Sequence, residues 1–119
     1  MITAENIAPK PFIHKEPKPI VTKAFLRART TYKDGNLYWK YWKKNSKHWN
    51  ERYVGTVVGT YNNARKNTGT IIDGKQYVLH RLIWIYHNGY IDSHDRVVHK
   101  NNRLDNSIEN LYLIPNSKA

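Results

Sequence analysis

Thr68-Gly-Thr-Ile-Ile-Asp-Gly-Lys-Gln-Tyr-Val-Leu-His-Arg-Leu-Ile-Trp84 is the stretch on which the reading of the fold turns. Asp73-Gly74 stands between two short runs, Thr68–Ile72 and Gln76–Leu79, rich in β-branched and aromatic residues, which is the pattern of a two-residue hairpin. From His80 the period changes. Leu82, Ile83 and Tyr86 fall on one stripe of a helix predicted over His80–Asn88, and Gly89 is placed to close it. A hairpin running directly into an amphipathic helix calls for that helix to cover the hairpin.

Working upstream, Asp34-Gly35 is a second turn signal and Asn36–Trp42 alternates as a strand, with Leu37, Trp39 and Tyr41 on one face. Lys43–Arg52 reads as a polar, basic connection. Tyr53–Thr60 is another strand candidate, weakened by Gly55 and Gly59, and Asn62–Asn67 is a basic turn. Downstream, Arg96–His99 is a short strand, Lys100–Glu109 a long polar loop, and Leu111–Ile114 a last strand running into Pro115. The expected fold class is α+β: a small antiparallel sheet, one main helix and a two-stranded ribbon. Residues 1–23 hold Pro9, Pro11, Pro17 and Pro19 among lysines, and proline at this density favours an extended chain. They read as a basic tail, a solubilising leader or an arm along a phosphate backbone, ahead of one domain over residues 24–119.

The chain has 119 residues, 20 Lys+Arg against 9 Asp+Glu, a net charge of +11 and no cysteine. Without cysteine there is no disulfide scaffold, no thiolate nucleophile and no sulfur-based zinc finger. The apolar runs are too short to cross a bilayer, and Met1–Asn6 lacks the basic start and apolar stretch of a signal peptide. The expectation is a cytoplasmic protein of a bacterial cell or its phage. So large a positive surplus, concentrated in residues 1–60, points to a polyanionic partner: DNA first, then RNA or a nucleoprotein complex, and no membrane.

The segment Asp73–Trp84, followed by His99-Lys-Asn-Asn-Arg-Leu-Asp-Asn-Ser-Ile-Glu-Asn-Leu111, resembles the phage and intron-borne HNH endonucleases, and Gly35-Asn-Leu-Tyr-Trp-Lys40 resembles their opening strand. The resemblance implies a ββα-metal ribbon. In it His99 would be the general base that takes a proton from water. Asn110 would accept a hydrogen bond from the imidazole and fix its tautomer. An oxygen-bound divalent cation such as Mg²⁺ would clamp the phosphate if the protein cuts.

Three departures accompany the resemblance. Val98 stands where the family has a metal ligand just before the base. The loop from His99 to Asn110 is one residue shorter and lacks the usual glycine. The helix that the resemblance implies after the second strand is expected to be missing. Asp95, Asp105 and Glu109 are carboxylates nearby, but none stands at the ligand position, so no metal ligands are assigned. The expectation is a nucleic-acid-binding protein of HNH type with impaired catalysis, needing no cofactor. Its rivals are a phage-encoded inhibitor of a host nucleoprotein machine, such as a defence complex, and an active metal-dependent DNA-nicking homing endonuclease.

Candidate phosphate contacts are Arg65, Lys66, Lys100 and Arg103 in loops around the ribbon, and Arg81 at the start of the main helix. A second basic group, Lys40, Lys43, Lys44, Lys47 and Arg52, is interleaved with Tyr38, Trp39, Tyr41, Trp42 and Trp49. Part of that aromatic cluster should be core, and the remainder is suited to stacking on bases of an opened strand. His80 is expected to make a structural hydrogen bond. His87 and His94 are expected to be exposed, with no metal-binding spacing.

Overall fold

The computed structural model describes residues 21–92 and 94–115, so all but the last three residues of the proline-rich stretch 1–23 lie outside it. Val21 already packs in the core at 4% exposure. Helix α1 (Lys23–Arg29) follows at once, its first turn capped by Thr22, whose hydroxyl accepts from the Phe25 amide at 3.1 Å.

Strands β1 (Thr30–Lys33) and β2 (Asn36–Trp39) form an antiparallel hairpin with Thr30 opposite Trp39. Its turn residues Asp34 and Gly35 have φ of 47° and 86°, the twist-matched geometry that an Asp-Gly pair supplies. The strand stops at Trp39, so Tyr41 does not share the buried face of Leu37: Leu37 is fully buried and Tyr41 is 66% exposed.

Lys43–Arg52 is not the connection expected from its polarity. Lys47–Tyr53 is helix α2, capped by Ser46, whose hydroxyl accepts from the Trp49 amide at 3.0 Å. Buried Asn50 ties it to the preceding chain, accepting from the Trp42 amide and donating to the Trp42 carbonyl. The strand expected over Tyr53–Thr60 is also replaced. The chain turns at Gly55 (φ 88°), makes a single bridge from Val57 to Tyr38, and turns again at Gly59 (φ 94°). Two glycines at positive φ break up a continuous ladder there.

Strands β3 (Thr60–Asn62), β4 (Asn67–Ile72) and β5 (Lys75–Val78) form a three-stranded antiparallel sheet in the order β3-β4-β5. Asp73 and Gly74 repeat the positive-φ turn, at 54° and 80°. Helix α3 (Leu79–Asn88) then closes over the sheet, with Leu79, Leu82, Ile83 and Ile85 buried and Gly89 at its end with φ 94°. Strands β6 (Arg96–His99) and β7 (Leu111–Ile114) form the ribbon, with His99 opposite Leu111. The fold is α+β. The described residues hold three separate antiparallel sheets rather than one sheet and a ribbon. They are gathered around α3, which packs against α1, β2, β4, β5 and β6. The core runs through Leu26, Leu37, Val58, Leu79, Leu82, Ile83, Val97 and Leu111.

Candidate active site

The ribbon carries His99 at the end of β6. Strand alternation puts Val97 and His99 on one side and Val98 on the other. Val97 is buried. His99 follows it toward the start of α3, where the His80 and His99 rings lie 4.7 Å apart between centroids, tilted by 50°. His80 makes the structural hydrogen bond expected of it, to the backbone of Val97. Burial is the main reason its pKa is pushed down to about 4, with Coulombic repulsion from the neighbouring His99 and Arg81 adding to the effect and the Val97 bond opposing it. At neutral pH His80 is therefore an uncharged ring beside His99.

The partner of His99 is Asn106. The imidazole Nε2 donates to Asn106 Oδ1 at 2.7 Å, so with the amide oxygen as acceptor the neutral ring keeps its lone pair on Nδ1. This corrects the expectation for Asn110. Its Oδ1 accepts from the Asn101 amide at 3.1 Å, and its Nδ2 donates to the carbonyls of Asn102 at 3.0 Å and Asp105 at 2.8 Å. Those bonds satisfy its amide inside the loop and leave no side-chain atom directed at the imidazole. Asn110 shapes the loop that delivers Asn106, and so it acts on His99 at one remove. Sequence reasoning missed Asn106. The signal present was Asp105-Asn106-Ser107, a turn in which Asp105 Oδ1 accepts from the Ser107 amide at 3.0 Å and from its hydroxyl.

The loop is also braced from outside. Tyr32 Oη accepts from the Ile108 amide at 3.0 Å. A Cβ on Gly35 would meet the Ser107 nitrogen at 3.0 Å, so the tip of the β1–β2 hairpin rests directly on the loop backbone.

His80 and His99 line a cleft of about 340 Å³ together with Lys66, Asn67, Arg96, Val97, Val98, Asn101 and Arg103. Of the expected phosphate contacts, Lys66 and Arg103 are in this cleft, and Arg96 joins them without having been expected. Lys100 and Arg65 are exposed on the neighbouring loops and do not line it. Arg81 is engaged in the fold: its guanidinium donates to the carbonyls of Asp95 at 2.6 Å and Asp92 at 3.3 Å, bracing the link from α3 to β6. The other basic group lies elsewhere. Lys43 and Lys47 line a concavity beside α2, with Lys47 3.8 Å from Glu51, and Lys40 Nζ donates to the Arg27 carbonyl at 2.9 Å. Arg52 lies over the Tyr53 ring at 5.6 Å, and Lys44 is exposed. His87 is half-buried rather than exposed, its Nδ1 2.9 Å from the Ile83 carbonyl and its ring edge-on to Tyr32 at 4.5 Å. His94 is exposed beside Asp92.

The donor set of the cleft suits an anion. Among the described residues, three cationic side chains and no carboxylate line it. Among the described residues no group of three or more His, Cys, Asp or Glu side chains converges on a point that would hold a metal. Val98 offers no oxygen. The nearby carboxyl of Asp105 is committed to Ser107, whose hydroxyl and amide hold its pKa below the usual carboxylate range. A hard divalent ion asks for several oxygen ligands, and these residues do not fit it.

Residues 77–119 match the family model of HNH endonuclease, a span covering the end of β5, α3 and the ribbon. The upstream Gly35–Lys40 stretch lies outside the match. No curated protein and no solved structure matches the chain. Among the described residues no helix is long and apolar enough to cross a membrane. With His99, its asparagine partner and the β6–β7 ribbon all inside the matched span, the chain is HNH-endonuclease-like over residues 77–119.

Proposed function

We propose that this protein binds nucleic acid through the His99 cleft, which grips one backbone phosphate, and that it cuts poorly or not at all. The observation that carries this reading is the composition of the cleft. Among the described residues, Lys66, Arg96 and Arg103 surround the paired imidazoles with no carboxylate in the lining, and Val98 stands where the HNH resemblance implies a metal ligand before the base. Cationic side chains hold a phosphate without a metal ion between them. Cleavage asks for more. His99 Nδ1 has the lone pair to take a proton from water, yet among the described residues no ligand set would hold the divalent cation that the HNH resemblance implies for the leaving oxygen.

The test is incubation of supercoiled plasmid with the full chain and Mg²⁺ or Mn²⁺, beside His99→Ala and EDTA controls, with gel-shift binding measured in parallel. Binding without metal-dependent nicking is the expected result. Nicking that needs metal and disappears in His99→Ala overturns the impaired-catalyst reading in favour of an active nickase. Absence of binding to any nucleic acid overturns the whole proposal.

A further inference from the structure

Away from the His99 cleft, two concavities share a wall of Trp39, Tyr53, Thr70 and Ile71; one runs along β3 past Tyr61, the other reaches Arg29 and Asn45. Together they make a channel between α2 and the β3–β4 hairpin. Its rings form a ladder: Trp39 meets Trp49 edge-on at 5.3 Å, and Trp49 meets Tyr53 at 5.0 Å. The inner end of that ladder packs on the core, but Tyr53, Tyr61 and Ile71 remain 37%, 43% and 68% exposed. Packing explains the first group and leaves the second without a partner.

Three further observations indicate what covers it. First, two guanidinium groups stand at the channel. Arg52 lies 5.6 Å over the Tyr53 ring, and Arg29 lines the inner concavity, where Asp73 is the one carboxylate among the described lining residues. Exposed rings flanked by guanidinium groups suit a polyanion that carries flat apolar rings of its own. Second, the channel is continuous with the His99 cleft through one element. Lys66 and Asn67, at the β3–β4 turn, line the cleft, while Tyr61 and Gly69–Ile71 of the same hairpin line the channel. From Asn67 to Ile71 the strand runs about 13 Å, a distance that a few nucleotides of an unpaired strand cover. Third, Asn45, which lines the inner end, has a buried Nδ2 with no hydrogen-bond partner. A base carbonyl would satisfy it once the side chain turns outward.

We infer that this channel binds unpaired bases of a single-stranded polynucleotide, stacking them on Tyr53 and Tyr61 a few nucleotides from the phosphate held at His99. The direction of the strand rests on the phosphate-binding reading of the cleft.

The test measures fluorescence anisotropy of the full chain with four labelled probes of equal length: oligo-dT, oligo-U, an abasic strand and a duplex. Wild type should bind the base-bearing single strands about tenfold more tightly than the abasic strand, the effect of one or two stacked bases. Tyr53→Ala with Tyr61→Ala should erase that preference and leave abasic binding unchanged, while phenylalanine at both positions should retain it. Ile71→Ser, at a 68% exposed site, should reduce the preference several-fold by removing one apolar side chain of the channel wall. Comparison of oligo-dT with oligo-U separates DNA from RNA as the source of the bases.

Equal binding of base-bearing and abasic strands by wild type overturns the inference, as it would if an apolar protein segment were the true occupant. So does a preference that survives the double alanine variant. The phosphate reading is tested separately, by Lys66→Ala and Arg103→Ala, which should weaken all single strands alike. If those two change nothing while the base preference responds to the tyrosines, the cleft reading fails and the channel stands. Failure to bind any strand overturns both.

Discussion

Asn110 shows how much one buried amide can organise. It is 8% exposed, and its one acceptor bond and two donor bonds all go to the backbone of the Asn101–Asp105 loop. Asn110→Ala leaves an amide and two carbonyls short of partners in a protected place. The expected cost is about 2–3 kcal/mol, read from the urea midpoint, with His99 released from Asn106 as a secondary effect visible in the imidazole NMR shifts. His80 makes the complementary prediction for pH. Its pKa falls from 6.5 in the unfolded chain to about 4 in the fold. The unfolded state therefore binds the extra proton first, and stability present above pH 6.5 drains away as pH falls toward 4. Discounted for the solvent that still reaches the ring, the loss attributable to His80 is about 2 kcal/mol. Urea unfolding at neutral and acidic pH should show it, and His80→Gln, which keeps a donor for Val97 but cannot titrate, should flatten that part of the slope.

Among the elements, the β1–β2 hairpin has a task beyond its own stability. Gly35 has φ 86°, and its bare Cα lets the turn sit against the Ser107 nitrogen, while Tyr32 of the same hairpin accepts from Ile108. Gly35→Ala adds both a strained φ and a backbone clash. It should destabilise the protein by about 1–3 kcal/mol, and hydrogen exchange should quicken at Ile108 before it does in α3. Helix α2 depends on its cap in a similar way. Ser46→Ala should cost about 1 kcal/mol, measured by thermal or urea unfolding, and should loosen the Trp49–Tyr53 ladder. This helix was hard to read from sequence because it has no apolar stripe. Trp49 is half-buried, and the one buried position on it is Asn50, a polar residue used to bond Trp42. Its legible signal was Ser46 as a capping residue, with Lys47, Glu51 and Arg52 as the helix formers after it.

For the whole molecule, a net charge of +11 makes affinity a matter of salt as well as of local geometry. Losing the one phosphate held in the cleft should make the slope of log K against log salt shallower by about 0.9 on duplex DNA. Lys66→Ala, Arg96→Ala and Arg103→Ala should each give part of that change and the triple variant all of it, in anisotropy titrations at several salt concentrations. Arg81→Ala should instead lower stability and leave that slope nearly unchanged, because its guanidinium braces the carbonyls of Asp92 and Asp95.

The sequence by itself determined the features that a few adjacent residues decide. Asp34-Gly35 and Asp73-Gly74 turn where they were expected to, because each pair accepts positive φ at both positions. The α3 stripe with its closing Gly89 and the β6–β7 ribbon followed from local periodicity, and the HNH resemblance of the C-terminal part rested on contiguous residues. Tertiary structure alone decided which residues meet. His80 reaches His99 because α3 lays its first turn across the end of β6, and Asn106 rather than Asn110 takes the imidazole because the loop folds inward around Asn110. Lys66 and Arg96 share a cleft only once the β3–β4 turn is brought beside the ribbon. Such meetings depend on how α3 packs its buried face against several sheets at once, and no short window of sequence contains that packing.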